Sequence, residues 1–190
     1  SNIDLIYSGL DRLPDKGEEI FARGFSMQFG GGIPATMINL SRLGVESRII
    51  TFAGHDLFSE FVKKTLNSYP VKTVNLYKGN KMPVVLSSTL LYCGDRSFIS
   101  YTDGMDLNDA VMDEVYENLK GAYVVDMHVG FLDVYKRLKK DGCIQIFDTG
   151  WEDDLTLEKY KDYLEIADYY IPNQKEAMKI TGTSSVEEAA

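Results

Sequence analysis

The sequence predicts an α/β protein: a mostly parallel sheet with helices on both faces, plus a small sheet made of strands alone. Three observations carry that prediction. From residue 109 onward, short apolar runs alternate with helical stretches, the pattern of parallel strands joined by helical crossovers. Residues 18–29 and 82–103 have β patterning without helices of their own, which suits a small sheet standing off the main layer. The chain has 190 residues, 44% hydrophobic and 26% charged, enough for a buried core and close to the globular average.

The elements follow in order. Ile3–Tyr7 is a short apolar run suited to a buried strand. Residues 9–17, with Gly9, Pro14 and Gly17, read as loop. Glu18–Phe29 alternates in part, as a strand with one covered face does. Gly30-Gly31-Gly32 then leads into a helix over Pro34–Leu43, with proline in its first turn and Gly44 as its stop. Arg48–Ala53 is the next strand, and Asp56 caps a helix running to about Ser68. Val71–Tyr77 is a strand ending in the turn Lys78-Gly79-Asn80. Met82–Cys93 and Arg96–Tyr101 flank Gly94-Asp95 as a hairpin. Beyond it come helix Val111–Leu119, strand Tyr123–Met127, helix Leu132–Lys140 and strand Ile144–Asp148. Helix Leu157–Ile166, strand Tyr169–Ile171 and helix Lys175–Thr181, stopped by Gly182, complete the alternation. Ser185 and Glu188 form the spacing of a capping box, with Ala189-Ala190 continuing the helix. That ending reads as a severed helix, so the sequence is expected to be a fragment of a longer protein.

Composition excludes several classes of function. The net charge is −9, from 29 acidic and 20 basic residues, with no basic stripe for nucleic acid. No apolar run approaches the ~18 residues of a membrane span. Cys93 and Cys143 are too few for a disulfide scaffold and read as the reduced thiols of an intracellular, cytoplasmic protein. Neither lies in a CxxC, and His55 and His128 form no ligand-spaced pair, so no zinc site is expected.

Five groups of residues carry chemistry. Gly30-Gly31-Gly32 lets backbone approach a ligand at a helix start, or serves as a flexible turn; its spacing is neither that of a Walker loop nor G-x-G-x-x-G. Asn2 and Asp4 lie two apart on one strand face, either to bond the hydroxyls of a polyol or sugar or as a solvated strand end. Asn173 and Glu176 have the spacing of a helix start, and a carboxylate there would also hold a water on Mg²⁺. His128 and Asp148 close successive strands, where ligands gather in open α/β sheets, although a lone histidine is as readily structural. The rings of Phe98 and Tyr101 on the hairpin would cover a ligand or pack on the main domain.

Together the segments resemble the N-terminal part of a PfkB-type (ribokinase-like) sugar or nucleoside kinase over nearly the whole chain. Asn2-Ile3-Asp4 looks like the first-strand substrate motif, and Leu13-Pro14-Asp15-Lys16-Gly17-Glu18 like the turn into the lid. Gly30 to Gly44 resembles the first family signature, Gly54-His55-Asp56-Leu57-Phe58 a GxDxxG segment, and Gly94-Asp95-Arg96-Ser97-Phe98 the lid turn. Ala167–Ala177 with Thr181-Gly182 is similar to the segment that carries the family's N-x-x-E. Thr36 stands where many members have Asn, Ser59 where most have Gly, and Asp148-Thr149-Gly150-Trp151 departs from DxNxR.

The resemblance implies transfer of the γ-phosphoryl group of ATP, with Mg²⁺, to a hydroxyl of a small sugar-like substrate, with no nucleic-acid or membrane partner. It implies substrate contacts from Asn2, Asp4, Gly30, Gly31, Gly32, Thr36, Phe98, Tyr101 and His128. Asp148, Asn173 and Glu176 fall on the cofactor side, with Glu176 reaching the metal through water. Residues 1–190 are then one incomplete ribokinase-like domain, its β lid built from about 14–29 and 82–103, and a homodimer through the lid is expected. The glycine-rich anion hole and catalytic Asp are expected beyond residue 190, so this chain alone is expected to be inactive. An inactive sugar-binding or regulatory module and a nucleoside kinase remain the alternative readings.

Overall fold

The computed structural model describes all residues, 1–190. They fall into two compact units, Ser1–Asp106 and Leu107–Ala190. No helix is long and apolar enough to cross a membrane.

The first unit runs β1 (Asn2–Ser8), β2 (Gly24–Gly30), α1 (Gly32–Arg42), β3 (Arg48–Thr51), α2 (Leu57–Asn67), β4 (Lys72–Asn75), β5 (Val85–Tyr92) and β6 (Asp95–Tyr101). β3 and β4 pair in parallel. The other four strands form a sheet in the order β2-β1-β5-β6, with β1 antiparallel to β2 and parallel to β5. The strand-only segments therefore do not pair with each other directly: β1 lies between them. One face of this sheet begins in the core, where Ile3 packs with Ile38 of α1, Ile49 of β3, Val62 and Leu66 of α2, Val71 and Val84. Burial of this apolar set is what holds the unit together, at roughly 25 cal/mol per Å² removed from water.

Two expectations in this unit shift. The strand expected from Glu18 starts at Gly24, because β1 ends at Ser8, the register partner of Gly24. Ile20 and Ala22 still alternate, but they line a cavity of about 300 Å³ with Tyr7, Leu10, Pro14 and Leu90 rather than a ladder. The hairpin closes on the pair Tyr92–Asp95, which puts the turn at Cys93-Gly94 instead of Gly94-Asp95. Cys93 has φ 49° and Gly94 φ 78°, the two positive angles of a type I′ turn, whose twist matches that of the strands.

The second unit alternates: α3 (Asp109–Leu119), β7 (Val124–Met127), α4 (Leu132–Lys140), β8 (Ile144–Phe147), α5 (Leu157–Ile166), β9 (Tyr169–Tyr170), α6 (Gln174–Thr181) and α7 (Val186–Ala189). Its strands form a parallel sheet in the order β7-β8-β9. Phe147, fully buried, stacks on Tyr163 with ring centroids 5.2 Å apart, and Val134 and Leu138 of α4 are equally buried. Gly182 ends α6 in the left-handed conformation, as a glycine stop does. The fold class is thus α/β with parallel strands and crossover helices, as the alternation of the sequence predicts.

Candidate functional site

The residues singled out by sequence fall in two sets, one in each unit. In the first, β1 brings Asn2 and Asp4 to one face, and the Asn2 amide donates to Asp4 Oδ1 at 3.0 Å. Gly30, the register partner of Asn2, closes the group. A Cβ on Gly30 would stand 2.4 Å from Asp4 Oδ2 and 3.0 Å from Asn2 Nδ2. A Cβ on Gly31 would stand 2.7 Å from Asn2 Oδ1, and its φ of 103° is one that side chains avoid. The glycines are therefore required here: their bare backbone makes room for the Asn2 and Asp4 side chains. Burial pushes the Asp4 carboxyl up from its ordinary value, while the Asn2 amide and the Arg96 charge pull the other way.

Gly31 is also the N-cap of α1, and no side chain caps that helix. Gly32 opens the helix, and Thr36 is exposed on it without joining the Asn2–Asp4 group. Phe98 and Tyr101 are three residues apart on β6 and so face opposite sides of the sheet. Phe98 lies on the Asp4 side, in register with Thr89. Tyr101 lies on the Ile3 side, in register with Leu86, and donates to Asp103 at 2.6 Å. A single ring stripe is not formed.

Ser59, which stands in place of a glycine, has a structural reason. It is fully buried, donates to Asp56 Oδ2 at 2.6 Å and accepts the Gly54 N–H at 2.8 Å. Asp56 in turn accepts the N–H groups of Phe58 and Ser59 as the N-cap of α2. Burial works against its charged form, but these bonds hold the carboxyl below its ordinary range.

In the second unit, His128 is exposed just past β7. Its N–H donates to Tyr135 Oη at 2.8 Å and its ring Nδ1–H to the Val129 carbonyl at 2.7 Å. Asp148, just past β8, accepts the Gly150 N–H at 3.3 Å and keeps its carboxylate exposed. Asn173 and Glu176 form a complete capping box: Asn173 Oδ1 accepts the Glu176 N–H at 3.1 Å, and Glu176 Oε2 accepts the Asn173 N–H at 2.9 Å. Glu176 is only 5% exposed. No three His, Cys, Asp or Glu side chains gather closely enough to hold a metal ion. Glu176 Oε2 is engaged in that cap.

Two features escaped the sequence reading. Asp126, inside β7, is half-buried; burial first, and the Asp148 charge second, push its carboxyl up to about 6. A lone acid in the apolar run Tyr123–Met127 was the available signal. Ser87 and Thr89 of β5 are each only 4% exposed and face the same side of the sheet as Asp4; the Val/Leu/Ser run showed a strand without showing which neighbours would bury them.

A family model described as the pfkB family carbohydrate kinase matches residues 1–190. A Pyrococcus horikoshii protein that carries the provisional name of a sugar kinase is 35% identical over 92 residues, 46% of this chain and 30% of that protein. Among solved structures, ribokinase from Giardia lamblia superposes with a TM-score of 0.80 at 20% identity, covering 97% of this chain and 58% of that one. Arabidopsis thaliana ribokinase, solved with ribose and ATP, gives a TM-score of 0.71 at 22% identity, covering 99% and 64%. At such identities the likeness is one of fold, and the chain spans about three fifths of the length of these structures.

Proposed function

The chain belongs to the pfkB family of carbohydrate kinases, and from that premise we propose that the protein phosphorylates a hydroxyl of a small sugar-like substrate with ATP. The observation that carries this reading is the Asn2–Asp4 pair seated against bare glycine backbone at Gly30 and Gly31. A carboxylate accepts hydrogen bonds from substrate hydroxyls and an amide both donates and accepts, so the pair reads vicinal hydroxyls and fixes their orientation. Phosphoryl transfer needs mainly positioning, charge stabilisation and a base. This chain's part is positioning. Strands β2, β5 and β6, together with the loop from residue 14, act as the lid; its closure excludes water and so favours transfer over hydrolysis.

On the donor side we assign Asp148, Asn173 and Glu176, with Glu176 meeting the Mg²⁺ of the nucleotide through water. His128, Thr36, Gly32 and Phe98 stand as further substrate contacts, whereas Tyr101 faces away from Asp4 and does not. The resemblance puts the catalytic Asp in a segment this sequence does not contain, so the 190 residues alone bind without turnover. The protein works in the cytoplasm, where ATP is supplied. A homodimer forms through the Ile3 side of the lid, where Phe25, Met27, Ile99 and Tyr101 are exposed and β2 and β6 present free edges.

The test is ATP consumption by the full-length protein over a panel of sugars and nucleosides, with Asp4→Ala beside it. Turnover of a sugar, lost in Asp4→Ala without loss of folding, supports the reading. Turnover of nucleosides only would replace the substrate class, and no turnover at all would favour an inactive sugar-binding module.

A further inference from the structure

Gln28, Asp4, Ser87 and Ser100 are in register across the four strands and so share one face of the sheet. Two of these groups are already paired: Ser87 Oγ and Ser100 Oγ satisfy each other at 2.8 Å. Thr89, one row on, has its hydroxyl buried without a partner, out of reach of a ligand on the surface. Asp4 and Gln28 differ. Asp4 Oδ1 takes the Asn2 amide, which leaves Oδ2. That oxygen leans toward β2, because it is the atom a Cβ on Gly30 would meet first, at 2.4 Å. Gln28 lies on β2 directly across from Asp4. It is exposed, and its amide makes one weak contact, Nε2 to Ser26 Oγ at 3.4 Å, beyond the ordinary range of such bonds. The second N–H and the carbonyl oxygen of that amide are therefore open to a ligand.

We propose that Gln28 is a specificity-determining residue, its amide meeting the sugar hydroxyl next to the one that donates to Asp4 Oδ2. This rests on the sugar-kinase reading and deepens it to a substrate class, an uncharged monosaccharide. Side chains directly opposite on antiparallel strands have Cβ atoms about 4.5–5.5 Å apart. A hydrogen bond of ~3 Å from each side chain bridges that separation through two neighbouring hydroxyls of one ring, with no movement of the strands. The row itself holds no cation, since an amide and two hydroxyls are what accompany the Asp4 carboxylate. A carboxylate or phosphate laid over it would face Asp4 without a counter-charge in contact, and that repulsion selects against anionic sugars. Arg96, the cation on this face, lies two rows beyond Ser100 on β6, with its guanidinium 5.6 Å over the Phe98 ring.

The experiment measures ATP consumption by the full-length protein on ribose, fructose and glucose, on gluconate and fructose 6-phosphate as anionic counterparts, and on the monodeoxy analogues of the best substrate. Gln28→Met keeps the length of the side chain and deletes the amide. The expected result is preference for an uncharged sugar, with its kcat/KM lowered in Gln28→Met by about 3- to 10-fold, the worth of one neutral hydrogen bond, mainly through KM. One monodeoxy analogue loses the same factor in the wild type and loses nothing further in Gln28→Met, because the two changes delete the two ends of one contact. The unfolding midpoint of Gln28→Met stays that of the wild type. Additive losses for every analogue, an unchanged kcat/KM in Gln28→Met, or preference for gluconate or fructose 6-phosphate overturns the proposal and leaves the kinase reading standing. No turnover of any sugar overturns both.

Discussion

Replacing Gly30 by alanine separates what the glycine does for the site from what it does for the fold. The new Cβ would lie 2.4 Å from Asp4 Oδ2, whereas ordinary contact begins at 3.4 Å, so the carboxylate has to retreat by about 1 Å or turn. Gly30 has no positive φ, so the backbone itself is unstrained by the change, and alanine is favoured over glycine inside a strand by roughly 0.5–1 kcal/mol. Folding stability therefore stays within about 1 kcal/mol of the wild type. The displaced carboxylate loses its alignment with the Asn2 amide and with substrate hydroxyls, and a misplacement of ~1 Å is enough to cost about 100-fold in a positioned reaction. Steady-state kinetics on the full-length protein should show kcat/KM lowered by about 10- to 100-fold, and urea unfolding should show nearly unchanged stability. Wild-type kinetics in Gly30→Ala would refute the claim that the bare backbone at residue 30 positions Asp4. A kinetic loss matched by an equal loss of stability would refute it too, by making the effect one of folding.

Two further perturbations act in the second unit. Asp126 has a carboxyl raised from 3.8 to about 6 by burial and by Asp148, so the folded state holds that proton more tightly than the unfolded chain. Stability is then lost as pH rises from 3.8 to about 6 and is level above that. The full gap would correspond to about 3 kcal/mol, and solvent screening of a half-buried group reduces it to roughly 1–2. Asp126→Asn, measured by urea unfolding, should gain that amount relative to wild type between pH 4 and pH 7; a pH-independent difference would show that the fold does not raise the Asp126 carboxyl. Asn173→Ala removes the side-chain half of the α6 capping box and should lower stability by about 1 kcal/mol, read as a shift in unfolding midpoint. An unchanged midpoint would mean that Glu176 alone holds the helix start.

Much of the second unit was legible in the sequence because its signals are local. Leu132–Lys140 and Leu157–Ile166 have the bounds that helical periodicity gives them, since Gly142 ends the first and Thr156 caps the second. Strand ends were less legible. The ladder from Gly24 to Gly30 stops where β1 stops, and nothing in Glu18–Arg23 announces where a strand elsewhere in the chain runs out. Phe98 and Tyr101 were separable by parity alone, three residues apart on a strand, yet they were grouped by their chemistry.

By itself the sequence determined the α/β class, the order of the elements, the shared face of Asn2 and Asp4, and the likeness to the carbohydrate kinases, because each depends on residues close together in the chain. Only the tertiary structure decided that β1 lies between β2 and β5, that Gly30 must be bare because Asp4 occupies the space of its Cβ, that burial raises the Asp126 carboxyl, and that Thr89 is buried without a partner. Pairing and desolvation are set by groups distant in sequence. Periodicity says which way a side chain points along its own strand, and the pairing of strands decides what it meets there.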